Sequence, residues 1–131
     1  MSLFNSHSVE ILILLFFIIT YFLSVTEKLS DWKGTIIYYT NHFKKTVLRK
    51  IIPLLLLNIL IFEIIALILL VVGLYFLVNE NSLTIAKIGL EISAITLLQF
   101  LIGQRLTKDY QGAMNITVYF ILNSIGIYLL T

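Results

Sequence analysis

The sequence predicts an all-α membrane protein: a four-transmembrane-helix bundle with an amphipathic interfacial helix in its first loop. Three observations lead there. Of 131 residues, 60% are hydrophobic and only 12% charged, against roughly 45–50% and about 25% in soluble domains. The mean hydropathy is +1.02. A water-soluble globule of this size has too little interior to hide that much apolar surface, and the same composition excludes disorder. Finally, the apolar residues gather into four continuous runs, roughly 9–25, 53–78, 83–102 and 111–130. Each reaches or approaches the roughly 20 residues that a helix needs to cross a hydrocarbon core. Unbroken runs, rather than short alternating segments, select helices over a β-barrel. The length allows one domain, residues 1–131.

The first run has no Lys or Arg before it and only a weak small-residue site at Ser24–Thr26. It therefore reads as a retained span rather than a cleaved signal. The loop after it carries a periodic segment, about 30–47, in which Trp32, Ile36, Tyr39, Phe43 and Val47 recur at helical spacing. Lys33, Lys44 and Lys45 lie elsewhere on the wheel, which suits a helix lying in the interface with lysines toward anionic headgroups. Pro53, the only proline, disfavours helix at the residue before it and suits a first turn, so the second span starts there. Asn79 to Ser82 forms a short polar hairpin, which makes spans two and three antiparallel neighbours. Gly103 is expected to end span three, and Asp109 to cap span four.

Charge sets the orientation. The first loop holds Lys28, Lys33, Lys44, Lys45, Arg49 and Lys50, and the third holds Arg105 and Lys108; the N-terminal tail and second loop hold no Lys or Arg. Loops one and three are then cytoplasmic and both termini outside.

Several classes of chemistry have no foothold in these residues. There is no cysteine and no phosphate-binding, dinucleotide or zinc-protease motif. The two histidines, His7 and His42, lie outside the apolar runs, so neither a metal centre nor a haem between helices is expected. A net charge of +2 gives no reason to expect nucleic-acid binding. The catalytic set is empty, and the chain on its own is expected not to be an enzyme.

The candidate site residues are the polar ones within the spans, because an ionisable group there needs a partner or a purpose. Glu63 shares a face of span two with Ala66, Leu70 and Gly73 and should point into the bundle. It serves either as a site for a proton, cation or polar ligand head, or as a protonated acid hydrogen-bonded to a neighbouring helix. Lys87 and Glu91, one turn apart, are placed to pair, with Glu10 at similar depth. Asn115, Tyr119 and Asn123 form a polar face on span four, while Ala86, Gly89, Ser93 and Thr96 form a small stripe on span three. Phe17, Tyr21, Ser24 and Lys28 share one side of span one. Glu27, Asp31, Arg105 and Asp109 meet at one boundary, where ion pairs are expected.

The stretch Phe22 to Gly34 (FLSVTEKLSDWKG), then His42-Phe43, Pro53 with three leucines, Glu63 and Gly73, the segment Gly103 to Ala113 (GQRLTKDYQGA), and Tyr119-Phe120 together resemble the DoxX-like family. The likeness is to its short forms in Bacteroidetes-type bacteria and covers nearly the whole chain. Lys28, Asp31, Pro53, Glu63 and Asp109 are the positions carried over. The resemblance implies a bundle in the bacterial inner membrane that accompanies membrane oxidoreductases as an accessory or anchoring subunit, with quinone or lipid as a bound molecule. Membrane lipids, and a membrane protein partner or a second copy, are the expected partners. Two further readings stay open: a lipid- or small-molecule-binding protein, and a small proton-coupled transporter. The second resembles the small multidrug resistance transporters in size and span number. Those carry their essential Glu in the first span, where this chain has only Glu10 at the edge.

Overall fold

The computed structural model describes residues 2–131, and side chains from His7 onward. Five α-helices follow one another: α1 (Ser2–Ser30), α2 (Trp32–His42), α3 (Ile52–Glu80), α4 (Thr84–Leu106) and α5 (Tyr110–Leu129). A 3-10 turn, Val47–Ile51, leads into α3. No strand occurs among the described residues. Four segments are long and apolar enough to cross a membrane: His7–Ser30, Val47–Glu80, Thr84–Leu106 and Tyr110–Leu129.

Adjacent elements in the chain pack as neighbours. α3 lies against α4, α4 against α5, α1 against α3, and α1 touches α5 lightly to close the bundle. The hairpin between α3 and α4 is made by Asn81, whose left-handed φ of 53° ends α3 and whose N–H bonds to Phe76 O. Asparagine tolerates that conformation better than most residues. Pro53 sits in the first turn of α3, and Asp109 caps α5 by accepting a hydrogen bond from Gly112 N–H at 3.0 Å. Both positions agree with the sequence reading.

Large side chains from α1 (Leu14, Phe17, Tyr21) fill the centre together with Leu70, Leu90 and Leu97. Small residues set how closely the helices approach. A Cβ added to Gly73 would lie 2.5 Å from Ala86 Cα, and one added to Gly89 would lie 3.1 Å from Leu70 N. Gly126 likewise brings α5 onto Leu90 of α4 and Ile13 of α1. Facing outward are apolar side chains such as Leu12, Phe22, Leu54, Ile68 and Ile121.

The boundaries differ from expectation in three places. α1 does not stop near residue 25 but runs to Ser30, which carries Lys28 out of the first loop and into the bundle, where it is buried. Gly103 does not end α4: the helix continues to Leu106, and Gly103 instead admits the Phe43 ring, 3.1 Å from where a Cβ would stand. The turn falls at Lys108, with φ 60°. The first-loop helix, α2, is also shorter than the expected 30–47 segment. Asp31 starts it by accepting a hydrogen bond from Gly34 N–H at 3.1 Å, and it ends at His42. There Thr46 N–H bonds to Phe43 O at 2.9 Å and Thr46 Oγ caps the 3-10 turn at Leu48 N–H. Val47 thereby leaves the Trp32–Phe43 stripe and is 89% exposed.

The closeness of α3 and α4 rests on Gly73. A Gly73→Val substitution is expected to force the helices apart and cost about 1–3 kcal/mol or more, read as a lowered midpoint of thermal unfolding in detergent. An unchanged midpoint would mean that the approach is not set by this glycine.

Candidate functional site: a buried ion pair in a polar seam

Glu63 stands eleven residues into α3 and is fully buried. Its neighbours along the inward face, Leu60, Ala66, Leu70 and Gly73, are buried too, so helical periodicity turns the carboxylate to the core. Lys28, in the last turn of α1, meets it: Nζ lies 2.8 Å from Glu63 Oε1, with side-chain exposures of 9% and 1%. The ammonium donates its directed hydrogen bond to Ser24 Oγ, 2.7 Å away on the preceding turn, and it stands 5.7 Å from the centroid of the Phe100 ring of α4. Three helices thus hold one lysine. Glu63 Oε2 has no hydrogen-bond partner among the described residues.

Further polar groups continue along the interior. Tyr21 Oη lies 2.7 Å from Ser93 Oγ and donates to Ser93 O at 3.3 Å. Asn123 of α5 donates to Leu90 O of α4 at 2.9 Å, and its own Oδ1 is left unpartnered. Thr96 donates to Ile92 O at 2.9 Å. Four helices contribute to this seam, and the Tyr21 and Asn123 donors are satisfied across helix boundaries. Beside it, at the α2 end, burial pushes the Tyr39 phenol above its ordinary pKa, and negative charge at Tyr38, Glu63 and Glu27 adds to that rise.

The other predicted positions separate from Glu63. Lys87 is half-buried and Glu91 exposed, and among the described residues the two do not form an ion pair. Glu10 is held instead by His7 Nδ1 at 2.8 Å, while His7 Nε2 lies 3.1 Å from Asn81 Oδ1 in the hairpin. Tyr119 is half-buried beside Phe16, ring centroids 5.8 Å apart. Asn115 is exposed and accepts from Gln111 at 3.4 Å, so the polar face of α5 divides between interior and exterior. The expected ion pairs among Glu27, Asp31, Arg105 and Asp109 are replaced by other contacts. Both aspartates are spent on helix caps, and Arg105 lies over the Tyr110 ring at 5.3 Å.

The partner of Glu63 is the feature that sequence reasoning missed. With the first span ending near residue 25, the sequence reading places Lys28 among the first-loop charges, whereas the structure puts it in the last turn of α1. The available signal was that Lys28 shares its face with Phe17, Tyr21 and Ser24, and that a lone interior carboxylate demands a counter-ion.

No family model, curated protein or solved structure matches the chain.

The pair supplies a fixed, net-neutral charge dipole inside an apolar bundle. Removing one member leaves the other buried and uncompensated. Lys28→Met or Glu63→Leu alone is therefore expected to cost about 3–5 kcal/mol, while the double replacement restores most of it. Thermal unfolding of the four proteins in the same detergent checks this. A double variant as unstable as the sum of the singles would show that the two residues do not act as a pair.

Proposed function

We propose that this protein is a non-catalytic subunit of a bacterial inner membrane, inserted through its four long helices with the basic loops cytoplasmic and both termini outside. It anchors or stabilises a membrane oxidoreductase system, a quinone-linked one, as its resemblance to the DoxX-like family implies. The observation that carries the anchoring role is Glu91. It is exposed, it has no ion-pair partner among the described residues, and it lies seven residues into α4, about 10 Å along the helix. A carboxylate turned toward lipid at that depth is unfavourable, approaching about 3 kcal/mol at the centre of a span. A second polypeptide bringing a cation or donors to this face removes that cost. The outer side of α5 supports the same reading. Only Ala113, Asn123 and Gly126 of this helix are buried, and Gln111, Asn115 and Ser124 are exposed, which suits polar contact with another helix.

Extraction from native membranes in a mild detergent, followed by native mass spectrometry, tests the proposal. Wild type is expected to carry a defined membrane protein partner or a second copy, and Glu91→Leu to lose it while keeping its helical circular-dichroism spectrum. Recovery of the bare chain with bulk lipid in both samples would sink the anchoring role.

A second reading rests on the unpartnered Glu63 Oε2: a site for the polar head of a small amphipathic molecule such as a quinone, lying between helices as ligand sites in bundles do. On the ligand-binding reading, Glu63→Gln abolishes a quinone-sized adduct seen on wild type. Adduct retention in the variant would leave Glu63 as a structural residue.

A further inference from the structure

Between Asp31 and Glu63 the chain has no acidic residue, yet it carries Lys33, Lys44, Lys45, Arg49 and Lys50. None of these five forms an ion pair among the described residues. Four of them, Lys44, Lys45, Arg49 and Lys50, line a concave surface of about 500 Å³ together with Thr46 and Val47, where α2 gives way to the 3-10 turn. Four uncompensated cations around one concavity repel each other, and an anion relieves that repulsion. In their midst Val47 is 89% exposed, which water disfavours but an acyl boundary accepts.

A second concavity is lined in part by the residues that follow the first in the chain. It is an open groove of about 530 Å³, almost wholly apolar, lined by Leu29, Trp32, Pro53, Leu54, Leu57 and Leu60. Pro53 follows Lys50 by three residues, and Leu54, Leu57 and Leu60 carry the groove along α3 from there. Trp32 is among its lining residues, a residue type that favours the headgroup level. A basic cup followed along the chain by an apolar groove matches the charge and the apolar length of one amphipathic anion.

We propose that this junction is a binding site for a single anionic phospholipid, with its phosphate among Lys44, Lys45, Arg49 and Lys50 and an acyl chain in the groove between α1, α2 and α3. The apolar groove selects a lipid over a free phosphate or an acidic peptide, which would use only the cup. The site is independent of Glu91 and Glu63 and of any partner subunit, so it stands or falls apart from the anchoring role.

Native mass spectrometry of the full chain, offered equal amounts of phosphatidylglycerol and phosphatidylcholine, tests the site. Wild type is expected to retain one phosphatidylglycerol in clear preference. Lys44→Gln with Lys45→Gln should weaken that retention by about thirtyfold, from about 1 kcal/mol for each cation at an anionic surface. Lys33→Gln, which removes a charge outside the cup, should leave it unchanged. Leu57→Trp, which fills the groove, should weaken retention with all charges intact. Thermal unfolding of each variant separates lost binding from lost fold. Equal retention of the two lipids by wild type overturns the proposal, as does phosphatidylglycerol retention indifferent to the lysine pair. Retention indifferent to Leu57→Trp, or full displacement by inorganic phosphate, reassigns the cup to a free anion and overturns it as well.

Discussion

Taking an ammonium and a carboxylate out of water costs several kcal/mol for each ion, and this bundle does both at one point. The cost is tolerable only if the two ions meet. That condition governs much of the architecture. Because Lys28 must reach Glu63 at 2.8 Å, α1 has to remain helical to Ser30. Ser24, one turn earlier, is then in place to accept the ammonium's hydrogen bond. The extension of α1 leaves only Asp31 before α2 begins, and that residue is consumed as the cap of α2. The pair therefore bears on where α2 starts as well as on how α1 sits against α3.

The rest of the interior obeys a different constraint. In a bundle whose outside is as apolar as its inside, burial of apolar area cannot by itself choose which face turns inward. The choice falls to small residues and to polar groups. Gly73 opposite Ala86, Gly89 against Leu70, and Gly126 against Leu90 and Ile13 allow close approach on the inward faces of α3, α4 and α5. Tyr21 with Ser93 and Asn123 with Leu90 add directional contacts between α1, α4 and α5. Each helix is thus held by at least one contact that rotation about its axis would break.

This division explains what was legible in the sequence. Helix number, the antiparallel hairpin at Asn81, the start at Pro53 and the cap at Asp109 depend on local chemistry, and local chemistry can be read one residue at a time. The inward face of α3, from Glu63 to Gly73, was legible because it repeats with helical period. Lys28 was not, because its assignment depends on a partner 35 residues away that no local pattern marks. Gly103 misled for a related reason. A glycine near the end of a run suggests a helix end, whereas here its missing side chain is used for packing against Phe43. The stripe from Trp32 to Val47 failed at its last member because Thr46 offers its hydroxyl to Leu48 N–H, a local bond that competes with continued helix.

The two ends of the bundle follow from the same partition of charge. At the hairpin end, His7, Glu10 and Asn81 satisfy one another, so the polar groups there are consumed in joining α1 to the α3–α4 turn. At the other end Glu63 pairs with Lys28, Asp31 and Asp109 cap helices, and Glu27 is exposed without an ion-pair partner among the described residues. The lysines and arginine that follow α2 are left without counter-charges. A chain with nearly balanced total charge, +2 overall, thereby presents a strongly basic surface at one end only. The buried pair removes one charge of each sign and leaves the surface balance unchanged. The basic cup arises instead from where the seven acidic residues fall in the chain, since none lies between Asp31 and Glu63.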